Sequence, residues 1–155
     1  MDNTGTFPRE YIYVATSWRN DLQPRVVKSL RAAGYEVYDF RNPPNGNGFS
    51  FGELTLAPPP YEIQPYEFIQ TLQHPRAKEG FDSDYQAMQK ADIFVLVLPC
   101  ERDAHLELGW VVGVGKETHI LLDNPCRASL MYQMVDHIHP DLDSLLMILG
   151  GDSGN

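Results

Sequence analysis

The chain is poor in cations, in cysteine and in long apolar runs. Of its 155 residues, 12 are Lys or Arg against 21 Asp or Glu, a formal charge of −9 at pH 7. Polyanions are bound by clustered cations that release counterions, so this balance argues against a nucleic-acid polymer or an anionic membrane surface as partner. Cysteine occurs only as Cys100 and Cys126, with no CxxC pair, which supports neither a zinc site nor a disulfide scaffold and leaves two structural thiols. No stretch approaches the roughly 20 apolar residues that span a bilayer. The opening MDNTGTFPREY has neither a basic nor an apolar leader region, so the expected location is cytoplasmic. What remains is ordinary globular composition, 43% hydrophobic and 11% aromatic. A single domain over residues 1–150 is expected, with a loose tail at 151–155.

Apolar runs and helical spacings alternate along that domain. Tyr11 to Thr16 (YIYVAT) reads as a buried strand. A helix follows, with Asp21 as cap, Pro24 in the first turn, an apolar stripe of Leu22, Val26, Leu30 and Ala33, and Gly34 as its stop. Tyr35 to Phe40 is a second strand, completing a right-handed βαβ unit. Residues 41–60 form a Pro- and Gly-rich loop, long enough to read as a lid or binding loop over the site rather than a passive link. Glu62 to Gln73 is expected to be helical, with Pro75 as an interruption and a second helix marked by Phe81, Tyr85 and Met88 up to Ala91. Asp92 to Pro99 (DIFVLVLP) is apolar on both faces, as a central parallel strand is. Next come a helix carrying Ala104, Leu108, Val111 and Val112, a strand at Thr118 to Asp123, a helix at Arg127 to Met134, an edge strand at Val135 to His139 and a last helix at Asp141 to Leu149. The alternation predicts an α/β fold, a flavodoxin-like or Rossmann-like five-stranded parallel sheet with helices on both faces.

Several familiar motifs fail. Gly113-Val-Gly115-Lys116 lacks the earlier glycine and the Ser or Thr of a phosphate loop and reads as a helix end. His105-Leu-Glu107 after Pro99-Cys100 has no CxxC downstream to complete a deaminase zinc site. The five histidines are scattered in sequence, and neither HExxH nor GxSxG occurs. No metal or cofactor is expected.

In an open parallel sheet, ligands sit beyond the carboxyl ends of the strands, at the point where strand order reverses. The first strand delivers Thr16, Ser17, Trp18, Arg19 and Asn20 there, the second Asp39 and Arg41, and the third Cys100, Glu101, Arg102, Asp103 and the helix start that carries Glu107. Asp103 also has a structural reading as N-cap, Glu107 as an acid about one turn into the helix, and Trp18 as core rather than as a base-stacking surface.

YIYVATSW, GFDSDYQAMQKAD before the central strand and AHLELGWVVGVGK after it resemble the nucleoside 2-deoxyribosyltransferase superfamily, which includes deoxynucleotide N-glycosidases. SWRN with YDFRNP, His74-Pro75, and LPC with AHLELGW resemble more closely a bacterial and phage branch of it. The resemblance runs from Tyr11 to Asp123 and implies that Glu107 is the nucleophile on the sugar C1′, that Tyr13 orients it, and that Asp84, with Asp82 as competitor, protonates the leaving base. It also implies a small-molecule nucleoside or nucleotide as substrate and a homo-oligomer whose neighbouring subunit completes the pocket.

The chemistry asks for two such groups. Cleaving an N-glycosidic bond develops oxocarbenium charge on the sugar and negative charge on the base, so one carboxylate meets C1′ while an acid assists departure. Attack by a second base then gives transfer, and attack by water gives hydrolysis. Glu101 stands six residues before Glu107, where the resemblance places a base-contacting acid in transferases and a small hydroxyl residue in nucleotide hydrolases. A carboxylate there opposes a 5′-phosphate, whereas Arg19 and Arg102 at the same rim would favour one. Two other readings use the same pocket: a nucleotide-derivative sensor without turnover, and an NAD-cleaving hydrolase.

Overall fold

The computed structural model describes residues 9–150; the tail at 151–155 lies outside them. In chain order the elements are β1 (Tyr11–Ala15), α1 (Gln23–Ala32), β2 (Glu36–Asp39), α2 (Pro65–Leu72), α3 (Pro75–Lys90), β3 (Ile93–Val97), α4 (Arg102–Gly113), β4 (Glu117–Leu121), β5 (His137–His139) and α5 (Leu142–Gly150). All strand pairs are parallel, in the order β2-β1-β3-β4-β5, so the α/β, flavodoxin-like expectation holds and the order reverses at β1 and β3.

Alternation along the strands divides the core. Ile12, Val14, Val37, Val95 and Val97 pack with Val26 and Leu30 of α1 and Leu145 and Leu149 of α5. The opposite face carries Tyr13, Tyr38, Phe94 and Leu96 against Ala87 and Met88 of α3 and Leu108 and Val111 of α4. Tyr38, Tyr13 and Phe94 are register partners on three adjacent strands, and their rings stack at 5.2 and 5.4 Å, a rung that ends directly under the site.

Several local expectations are corrected. Asp21 does not cap α1; Asn20 does the work nearby, its Oδ1 accepting the Leu22 N–H at 2.8 Å. Gly34 does end that helix, at φ +101°. Pro75 is not an interruption but the first residue of α3, where a missing N–H costs nothing, and His74 Nδ1 accepts the Arg76 N–H at 3.0 Å as its cap. Asp103 lies inside the first turn of α4, and Glu101 holds the N-cap position without a side-chain cap. The helix expected over 127–134 reduces to a 3-10 turn, Leu130–Met134. Leu130, Met131 and Met134 are all exposed, so no packed face offsets the cost of nucleating a longer helix.

Candidate active site

Four elements bring one acidic pair and its tyrosines together on the carboxyl side of the sheet. Tyr13 of β1, buried in the aromatic rung, donates its hydroxyl to Glu107 Oε2 of α4. Tyr38 of β2 donates to Asp84 Oδ1 of α3 at 2.8 Å and lies 2.9 Å from Ser83 Oγ. Each carboxylate is thus held by a phenol projecting from the neighbouring strand. Asp84 is half-buried whereas Asp82 is exposed, which separates the two competitors on α3.

Burial raises the affinity of both carboxyls for a proton. Glu107 is pushed up to about 8 by loss of water, opposed by the Tyr13 hydrogen bond and reinforced by the charges of Asp84 and Asp103. Asp84 is pushed up to about 6, again mainly by burial, against the lowering effect of the Tyr38 hydrogen bond. Tyr13 is raised well above the usual phenol value by burial and by Glu107, so it remains a donor. Between those two carboxyl values the pair holds a single proton, which rests mainly on Glu107, so the form with Glu107 ionised and Asp84 protonated is the minor one of the two.

Asp84 opens onto a cavity of about 410 Å³, with Tyr38, Ser83, Phe40 and residues 45–49 among its walls; Tyr13 and Glu107 are not among the lining residues. The loop expected over 41–60 supplies that wall. It is tied down by Arg76, whose guanidinium pairs with Glu53 at 2.8 Å and donates to the Asn47 and Gly48 carbonyls at 2.9 and 3.3 Å. Phe49 of the loop packs on Gly80, where an added Cβ would stand 2.5 Å from the Phe49 Cβ.

The remaining candidates divide into scaffold and rim. Asp39 accepts from Gln23 Nε2 at 2.7 Å, from the Arg41 N–H at 2.9 Å and from Asn42 Nδ2 at 3.0 Å. Arg41 donates to the carbonyls of Ser17 and Asn20 at 2.9 and 2.8 Å, and its buried Nε has no protein partner. Both therefore direct most of their polar groups at the protein and fix the loop after β1. Ser17 Oγ accepts the Arg19 N–H at 3.2 Å. Trp18, 44% exposed, donates its indole N–H to the Phe49 carbonyl at 3.1 Å and meets Phe40 edge to face, so it links the first loop to the cavity wall. Arg19 and Glu101 form an exposed ion pair at 3.7 Å, and Arg102 is exposed at the first residue of α4.

Tyr38, Ser83 and Arg76 escaped the sequence reading. The parity of Tyr13 and Tyr38 in two adjacent strands carried a signal for the first, and the position after His74-Pro75 for the last. The histidines are also less scattered than their spacing implies: His119, His137 and His139 stack at the β4–β5 edge.

No family model matches the chain, and no curated protein matches it. Solved structures do. A 2-deoxyribosyltransferase of the psychrotolerant bacterium Bacillus psychrosaccharolyticus superposes with a TM-score of 0.58 at 21% identity, over 87% of this chain and 89% of the other. The CMP N-glycosidase BcmB of Clostridium botulinum superposes with a TM-score of 0.55 at 15% identity, over 90% and 98%. At these identities the likeness is one of fold.

Proposed function

We propose that the protein cleaves or transfers at the N-glycosidic bond of a nucleoside, with Glu107 as nucleophile at C1′, Tyr13 as its positioning residue and Asp84 as the acid that protonates the departing base. The observation that carries this reading is the pair of half-buried carboxyls, each bound by a strand tyrosine and both titrating far above ordinary Asp and Glu. The names of the two structural neighbours support the reaction class.

In one productive cycle, ionised Glu107 attacks C1′, the C1′–N bond breaks, and its electron pair goes to the base, which takes the proton from Asp84. The glycosyl ester on Glu107 is then opened by water or by a second base, with Asp84 receiving the incoming nucleophile's proton. The charge lining the cavity favours an uncharged nucleoside over its 5′-monophosphate, against the pull of Arg102 exposed at the rim. The cavity's cation, Arg76, is paired with Glu53 and Glu79, and Arg19 is paired with Glu101. No unpaired cation lines the described cavity wall to meet a phosphate dianion.

The test is base release, followed by chromatography, from ribo- and deoxynucleosides, their 5′-monophosphates and NAD, with and without a second base, using Glu107→Ala as control. Release by the wild type alone, with kcat/KM higher for nucleosides than for monophosphates, is expected. Nicotinamide release would instead identify an NAD-cleaving enzyme. Absence of turnover, with ligand-induced thermal shifts equal in both proteins, would overturn the reading in favour of a binding module.

A further inference from the structure

At the end of the sheet opposite the acidic pair, the first residues of β4 and β5 gather a second set of polar side chains. Glu117 and His119 lie two apart on β4 and so share one face, and His137 of β5 is the register partner of His119. Glu117 Oε1 is 2.8 Å from His119 Nε2, the His119 and His137 rings stack at 4.7 Å, and one ligand atom from each of the three residues lies within 4.8 Å of the others. His119 is fully buried, whereas Glu117 and His137 are exposed, so the set is anchored on one side and open to solvent on the other.

We propose that Glu117, His119 and His137 bind a divalent zinc-class ion that fastens the edge strand β5 to β4. Two imidazoles and one carboxylate, with an open fourth position for water, are ligands suited to zinc rather than to magnesium or calcium. Zinc bonds of about 2.0–2.1 Å require the exposed His137 side chain to swing inward from its place against the His119 ring. His139 supplies the outer support that a ligating histidine needs: its Nε2 lies 2.9 Å from His119 Nδ1. With the ion on His119 Nε2, the ring proton sits on Nδ1 and is donated to His139 Nε2, while His139 carries its own proton on Nδ1. Both rings stay neutral, and no proton is gained or lost by the pair. The strand being fastened is three residues long, with Ile138 exposed on its outer side, and its other ties to the start of β4 include Asp136 Oδ2 with the Thr118 N–H at 2.9 Å.

Calorimetric titration of the chelator-treated full chain with zinc chloride tests this, beside the Glu117→Gln, His137→Ala and Cys126→Ser variants. His119 is left intact because its loss would compromise folding, and the two ligand substitutions are at exposed positions. Expected is one zinc per chain, at least tenfold weaker binding in His137→Ala and in Glu117→Gln, no change in Cys126→Ser, no heat with magnesium, and a zinc-dependent rise in Tm of the wild type only. Cobalt bound in place of zinc should show d–d bands without thiolate charge transfer. Absence of stoichiometric zinc binding, retention of binding in His137→Ala, or its loss in Cys126→Ser would each overturn the proposal. None of these readouts depends on the glycosidic activity.

Discussion

Replacing Tyr13 by Phe removes one hydroxyl and nothing else from the rung, because the ring remains stacked between Tyr38 and Phe94. The lost bond is the one that stabilises Glu107 as a carboxylate. A hydrogen bond to a charged acceptor contributes about 1.5–3 kcal/mol. At 1.36 kcal/mol per pKa unit, its loss raises the Glu107 value by about 1–2 units. The wild-type pair, with Asp84 near 6 and Glu107 near 8, should give a bell-shaped profile of kcat/KM, active while one proton is shared. In Tyr13→Phe the alkaline limb should move upward by about 1–2 units. The plateau should fall about 10- to 100-fold, because the shared proton, already mainly on Glu107, then favours it more strongly still and the form with Asp84 protonated becomes correspondingly rarer. The assay is base release from the preferred nucleoside between pH 5 and 10. An unmoved alkaline limb with an unchanged plateau would refute the assignment of Tyr13 to Glu107.

The partner substitution Tyr38→Phe removes the bond that lowers Asp84, so the acid limb of the same profile should move upward while the alkaline limb stays within experimental error. Glu107→Gln should abolish turnover yet raise Tm, and the gain should depend on pH. A carboxyl whose folded value lies above its unfolded value of 4.5 imposes no penalty below pH 4.5, a growing one as pH rises, and the full one above about 8; calorimetry should therefore find the stabilisation larger at pH 9 than at pH 5. Gly80→Ala would gain up to about 1 kcal/mol from helix propensity, but the Cβ 2.5 Å from the Phe49 side chain should cost about 1–3 kcal/mol, so urea unfolding should show net loss, with KM raised as the cavity wall shifts. The homo-oligomer implied by the resemblance predicts a light-scattering mass above that of one 17.6 kDa chain, and a mass of one chain would refute it.

Strand identity and order of appearance were legible because each strand is a short apolar run between punctuating residues, and β3, buried on both faces, was the plainest. Glu107, Tyr13 and Asp84 were singled out only by the resemblance; their spacing alone did not distinguish them from core and surface residues. Helix starts were less legible. Whether a proline interrupts or begins a helix depends on the turn before it, and at Pro75 the His74 side chain decides the matter by capping. Asp39 and Arg41 sit where ligand-binding residues of such sheets belong, yet their hydrogen bonds run to the start of α1 and to the loop before it, a distinction made by tertiary contacts with residues 16 to 24 positions away in sequence. The histidines at 119, 137 and 139 looked dispersed because parallel pairing joins strands separated by a crossover, and their shared face follows only once β4 and β5 are known to be adjacent.

The bond between Tyr13 and Glu107 closes a span of 94 residues, and that between Tyr38 and Asp84 one of 46. The first contact spans more than one strand–helix–strand unit and Glu107 itself lies on α4, so no fragment of the chain that stops short of α4 can contain the acidic pair. Contacts between segments so distant in sequence form slowly and late. During refolding, helical content should therefore return before catalytic competence, which makes turnover a stricter gauge of a completed fold than any spectroscopic measure of its helices.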